Sequence, residues 1–159
     1  MGFIIIDKIK NNNKKIMIFV EGTILKPKRD NIISRICVNS YVPIDNAIET
    51  LKKWQEEGYE IIYLTSLCGR RAMRMAQHLD ELGFVGSMIG YRQPRQSYAT
   101  LIKEEMPDIL IEDDCLSVGG KENMCYNLLS EDIKKKIKHI VVKEFKGIDN
   151  VKLYWMDIF

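Results

Sequence analysis

Three short polar segments in this chain each follow an apolar run of strand length: Glu21-Gly22-Thr23, Thr65-Ser66 and Glu112-Asp113-Asp114. Carboxylates can carry protons or hold a cation, and hydroxyls can hydrogen-bond an oxyanion. Adjacent carboxylates such as 112–114 repel one another unless a cation, hydrogen bonds or raised pKa values relieve them. Each segment also has a plainer role. Acids suit helix N-termini or solvated loops, Gly22 suits a turn, and Thr65-Ser66 would cap a following helix. Chemistry therefore depends on whether the chain brings the three together.

The surrounding pattern says that it does. Apolar strands are expected over 16–20, 61–64, 108–111 and 140–142, with a weaker one over 85–89. Helices are expected over 45–57, 70–82, 97–106 and 130–136. The first turns Ala47, Ile48, Leu51 and Trp54 to a core and stops at Gly58; the second places Met73, Ala76, Leu79 and Leu82 along one face and stops at Gly83. Pro107 ends the third, and Ser130 caps the fourth.

Strand-helix alternation with apolar strands predicts an α/β fold, a parallel sheet covered by helices on both faces. Right-handed crossovers then put every strand's C-terminal end on one edge, where open α/β sheets bind ligands. Glu21, Thr65 and the acids at 112–114 converge there.

At 159 residues, 46% apolar and 29% charged, the chain is expected to be a single domain over 1–159, ordinary for a soluble protein. Residues 1–13 are expected to be an N-terminal extension, either an edge strand folded back at Asn11-Asn12-Asn13 or a loosely tied leader, and 24–42 a short flap-like insert. The opening residues do not read as a secretory signal, and no apolar run approaches a bilayer span, so a cytoplasmic protein without a membrane partner is expected. Cys37, Cys68, Cys115 and Cys125 are scattered and read as reduced thiols.

A net charge of +2 argues against a nucleic-acid partner despite basic runs at 26–29 and 134–138, and Arg70, Arg71 and Arg74 read as a solvated helix face. The glycines at 119–120 lack the spacing of a phosphate-binding P-loop and read as a turn. His78 and His139 are isolated, and Trp54 and Trp155 read as packing residues.

The segments IMIFVEGT at 16–23, IIYLTS at 61–66 and DILIEDD at 108–114 resemble, in order and spacing, the first, second and fourth motifs of the haloacid-dehalogenase-like superfamily. The flavour is that of its small deoxyribonucleotidase-like branch, and the resemblance spans 16–142. It implies a Rossmann-like sheet, here without a full cap domain. By that resemblance, Phe19 stands at the nucleophile position, where the family carries an aspartate, and phenylalanine can neither attack phosphorus nor bind magnesium. Glu21 matches the family's acid/base residue, and Gly22, Thr65 and Ser66 fall where a phosphoryl group would be held. The cation of the third motif falls nearest Arg95, with Arg92 and Lys103 as substitutes. Glu112, Asp113 and Asp114, with Glu21, are the implied magnesium ligands, Asp113 foremost.

Losing the nucleophile also loses a metal ligand, so magnesium is expected to bind weakly or not at all. The expected function is a binding or regulatory module that has lost ordinary phosphatase turnover but retains a pocket for magnesium, a small phosphorylated ligand or a nucleotide. The alternatives are a magnesium-dependent phosphohydrolase using Glu21 and Asp113, and a structural or protein-interaction domain, oligomers being possible.

Overall fold

The computed structural model of the chain describes residues 14–88 and 92–153. The expected N-terminal edge strand over 1–13, residue 89 of the expected strand over 85–89, and Trp155 lie outside the described residues.

Four strands, β1 (Lys15–Phe19), β4 (Glu60–Leu64), β5 (Ile109–Asp113) and β6 (Lys138–Val142), form one sheet in the order β4-β1-β5-β6, with every pair parallel. A central strand of such a sheet is covered on both faces and needs an unbroken apolar run. In β1, Ile16, Met17 and Ile18 are all buried. Strand alternation then divides the core into two. Ile16, Ile18, Ile61, Tyr63, Ile109 and Ile111 face one cluster; Met17, Ile62, Leu64 and Leu110 face the other.

Helices cover both faces, the arrangement of a Rossmann-like fold. On the first face lie α2 (Ala47–Glu56) and α3 (Gly69–Leu82), which contribute Ala47, Leu51, Trp54, Met75 and Leu79 to the core. The second face is covered by α4 (Tyr98–Glu105), through Leu101 and Ile102, and by Cys125, Leu129 and Ile137. The four-residue α5 (Glu131–Lys134) precedes β6 and is shorter than the expected 130–136, and the Ser130 side chain makes no capping hydrogen bond.

Helix α2 has its apolar residues at helical spacing, and its first turn is tied down from a distance. Asp149 accepts from the Asn46 amide nitrogen at 3.3 Å and from Asn46 Nδ2 at 3.1 Å. Gly58 at φ 100° allows the chain to turn directly into β4. Fully buried Leu51 joins this helix to the sheet, and Leu51→Ala would cost about 2–5 kcal/mol.

Two local expectations need correction. Met73 is 55% exposed, whereas Ala72, Met75, His78 and Leu79 form the buried face of α3. The weak strand over 85–89 reduces to one isolated parallel bridge, Ile62 to Ser87, at the outer edge of β4. The flap-like insert has secondary structure of its own. Within it, β2 (Leu25–Pro27) pairs antiparallel with β3 (Tyr41–Pro43), and the short helix α1 (Ile32–Ile36) lies between them. His78 Nε2 lies 2.7 Å from the Tyr41 carbonyl and pins this hairpin to α3.

Candidate functional site

Because β1 lies between β4 and β5, the segment after β1 stands in the middle of the C-terminal edge, with Thr65-Ser66 on one side and Glu112-Asp113 on the other. A cleft of about 520 Å³ opens there. Phe19, Glu21, Gly22, Ser66, Glu112 and Asp113 all contribute to its lining. Ile36, Val38 and Tyr41 of the insert, with Val118 and Phe145 opposite, make its walls largely apolar. The volume falls within the usual range for small-molecule sites, about 300–1,000 Å³.

Glu21 reaches sideways to the end of β4. Its Oε1 accepts from the Thr65 hydroxyl, and its Oε2 accepts from the Ser66 amide at 3.2 Å. Thr65 is buried and its oxygen accepts from the Leu67 amide at 3.2 Å, so its proton is directed at Glu21. Burial raises the Glu21 carboxyl pKa above the ordinary glutamate value, while the hydrogen bonds from Thr65 and Ser66 pull it down. Thr65 therefore does not cap α3, whose N-cap position is Cys68.

The acids on the other side divide by strand alternation. Asp113 shares the parity of Ile109 and Ile111, and accepts from the Thr23 hydroxyl at 3.1 Å and from the Cys115 amide at 2.9 Å. Burial raises its pKa as well, against those two hydrogen bonds. Glu112 has the opposite parity. It accepts from the backbone amides of Cys125 at 2.7 Å and Tyr126 at 3.0 Å, and lies 2.9 Å from His139 Nε2. The His139 ring stacks on Tyr126 with centroids 4.0 Å apart. Asp114 leaves the cleft altogether and accepts from the Glu144 amide at 3.2 Å.

Phe19 is half-buried and faces the cleft and the second core cluster together. Its ring meets Tyr98 edge-on, with centroids 5.8 Å apart. Arg92 lies 4.5 Å from the Tyr98 centroid and donates to the Ser66 carbonyl at 2.6 Å. Arg95 is exposed at φ 71° and does not line the cleft. Of the three cations that spacing allowed, Arg92 is the one brought to the end of β4; Lys103 is exposed on α4. Arg71 does reach the rim, where it donates to the Ile36 carbonyl at 2.8 Å.

Tyr98, Glu144 and His139 were not singled out as site residues in the sequence. Tyr98 follows the capping Ser97, and only the fold places its ring against Phe19. Glu144 lies just past β6 and accepts from the Ser117 amide at 2.9 Å, closing the far rim.

Magnesium favours near-octahedral oxygen coordination with one or two carboxylates and several waters. Among the described residues no three His, Cys, Asp or Glu side chains form a metal-holding group. Phe19 supplies no donor, Glu112 is bound by two amides and His139, Asp113 is bound through both oxygens, and Asp114 faces elsewhere. The side chains as they stand do not assemble the donor set that magnesium favours. The Cys115 thiol, also on the lining, is pushed up to about 12 by burial and neighbouring carboxylates, which makes it a poor nucleophile.

The sequence matches no protein-family model, and no curated protein matches it. Among the described residues no helix is long and apolar enough to cross a membrane.

Proposed function

We propose that this chain is a haloacid-dehalogenase-like domain that has lost ordinary phosphatase turnover and acts by binding a small phosphorylated ligand, a nucleotide being one candidate, in the cleft at its sheet edge. The observation that carries the reading is Phe19. At the position where the resemblance calls for a nucleophilic carboxylate, the cleft has a phenyl ring packed on Tyr98. The cleft's size, its polar floor and Arg71 at its rim support a binding role. Magnesium contributes weakly or not at all in this reading, because the carboxylates are held by protein donors.

The test combines turnover with binding. Wild-type protein is assayed on p-nitrophenyl phosphate and nucleoside monophosphates, with and without millimolar magnesium, and its thermal unfolding is followed with the same ligands. The expected result is no turnover, with saturable stabilisation by at least one ligand, about 2.7 kcal/mol at 100 times its dissociation constant. Wild-type turnover that disappears in Glu21→Gln would instead establish the phosphohydrolase reading.

A protein-interaction role draws on a separate observation. On α1, whose Ile36 lines the cleft, Ile32, Ile33 and Ile36 are 74%, 80% and 61% exposed. Light scattering across a concentration series tests self-association through this face, and a monomer throughout would remove that version.

A further inference from the structure

The polar end of the cleft is already occupied by a carboxyl group, and that group belongs to the protein. Two donors converge at the end of β4, the Thr65 hydroxyl and the Ser66 amide, and both point at the Glu21 carboxylate. The Leu67 amide donates to the Thr65 oxygen and fixes the direction of the hydroxyl proton. Arg92 donates to the Ser66 carbonyl at 2.6 Å, which orients the peptide group that carries the Leu67 amide. A pair of donors that binds a carboxylate in this geometry has the chemistry to bind a phosphate oxygen. It cannot do both at once.

We propose that Glu21 is a built-in competitor, so that a tetrahedral oxyanion of the phosphate class enters the end of the cleft only by displacing the Glu21 carboxylate from Thr65 and Ser66. Three features of the site agree. Glu21 lies two residues past the end of β1, with its backbone in an isolated bridge to Leu25, so rotation about its side-chain bonds can withdraw the carboxyl group from Thr65 and Ser66 while the backbone stays in place. The cleft is open beside it, since Glu21 and Ser66 both contribute to the lining. Asp113 adds a second carboxyl group on the same floor, and any charge on it penalises an anion that arrives while Glu21 remains in place. The cleft of the resting protein therefore discriminates against free phosphate. It accepts a phosphorylated ligand only when contacts to the rest of that ligand offset the displacement. This deepens the binding role proposed above by naming what the phosphoryl end must replace.

The probe is inorganic phosphate, without metal, measured by isothermal titration calorimetry and thermal unfolding against sodium chloride of equal ionic strength. The proteins are full-length wild type, Glu21→Ala, Glu21→Gln and the double variant Glu21→Ala with Thr65→Val, each checked for fold by circular dichroism. Wild type should show no stabilisation beyond the chloride control. Glu21→Ala should bind phosphate at least tenfold more tightly, and the double variant should lose that gain. Glu21→Gln removes the charge but keeps a side chain on the donors, so its gain should be smaller, about threefold; should Glu21→Ala fail to fold, this variant decides the matter. Equal binding by wild type and the Glu21 variants, or no gain in folded variants, would overturn the displacement. Neither result touches the turnover assay, so loss of this inference and loss of the non-catalytic reading are separately visible.

Discussion

Gly22 stands so close to Asp113 that a β-carbon on residue 22 would lie 2.7 Å from Asp113 Oδ2. Residue 22 also sits at φ 87°, a conformation that side chains other than glycine adopt only with strain. The glycine is needed twice, once for the turn after β1 and once for the close approach to the end of β5. Gly22→Ala should therefore destabilise the protein by more than about 1 kcal/mol in urea unfolding. In an Asp113→Ala background the steric part disappears and the backbone part remains. The double-mutant cycle should then return a coupling of about 0.5–3 kcal/mol, and strict additivity would mean that the two residues are not in contact in solution.

Glu112 should prove a structural acid rather than a ligand-binding one. One oxygen accepts from the Cys125 amide, and the other accepts from the Tyr126 amide and faces His139, so a glutamine there must turn its NH₂ group toward a backbone donor in either orientation. Glu112→Gln should cost about 1–3 kcal/mol, the penalty for a buried donor left without a partner. The same substitution should leave ligand-induced shifts in melting temperature unchanged. A stable variant that had lost ligand binding would reverse the assignment.

Much of this architecture was legible in the residues. The unbroken apolar run at 16–20 could only be a doubly covered strand, and Gly58, Gly83 and Pro107 marked boundaries that the structure respects. The convergence of Glu21, Thr65 and Asp113 followed from parallel order alone. What was not legible depended on partners distant in sequence. His78 is buried because its ring Nε2–H donates to the Tyr41 carbonyl, 37 residues away, and the helix rotation that makes this contact leaves Met73 exposed.

Arg95 and Arg92 illustrate the same limit at the site. Spacing favoured Arg95, but the turn holds it at φ 71° and exposed, while Arg92 lies over Tyr98 and reaches Ser66. The resemblance puts Asp113 foremost among the three successive acids at 112–114, with Glu112 and Asp114 in support, but adjacency in sequence does not reveal their different surroundings. Alternation along β5 sends Glu112 and Asp113 to opposite faces, and Asp114 leaves the strand to meet the Glu144 amide.

Phe19→Asp tests the metal argument. The substitution removes the edge-on contact with Tyr98 and puts a carboxylate beside Glu21 and Asp113 on the cleft floor. Without metal the variant should melt below wild type, since a partly buried charge gains no counterion. Millimolar magnesium should restore part of that loss in the variant and do little to wild type. Equal magnesium shifts in both proteins would show that Phe19 does not limit metal binding.

The last prediction concerns pH and follows from Glu21. Burial raises its pKa above the ordinary value of 4.5, so the folded protein holds this proton more readily than the unfolded chain. The stabilisation from protonation is fully present below the unfolded pKa and is lost as pH rises through the higher folded value. Glu21→Gln cannot titrate. It also carries a fixed cost, because its NH₂ group faces either the Ser66 amide or the Thr65 hydroxyl that the carboxylate accepted from. The sign of the stability difference at any one pH is therefore uninformative, and its slope is the signal. Urea midpoints from pH 4 to pH 8 should show Glu21→Gln gaining on wild type as pH rises. Asp113 keeps its own raised pKa in both proteins, so its contribution cancels in the difference. A flat difference across the series would mean that Glu21 titrates alike in folded and unfolded protein, and that its carboxylate is not held in the buried position between Thr65 and Ser66.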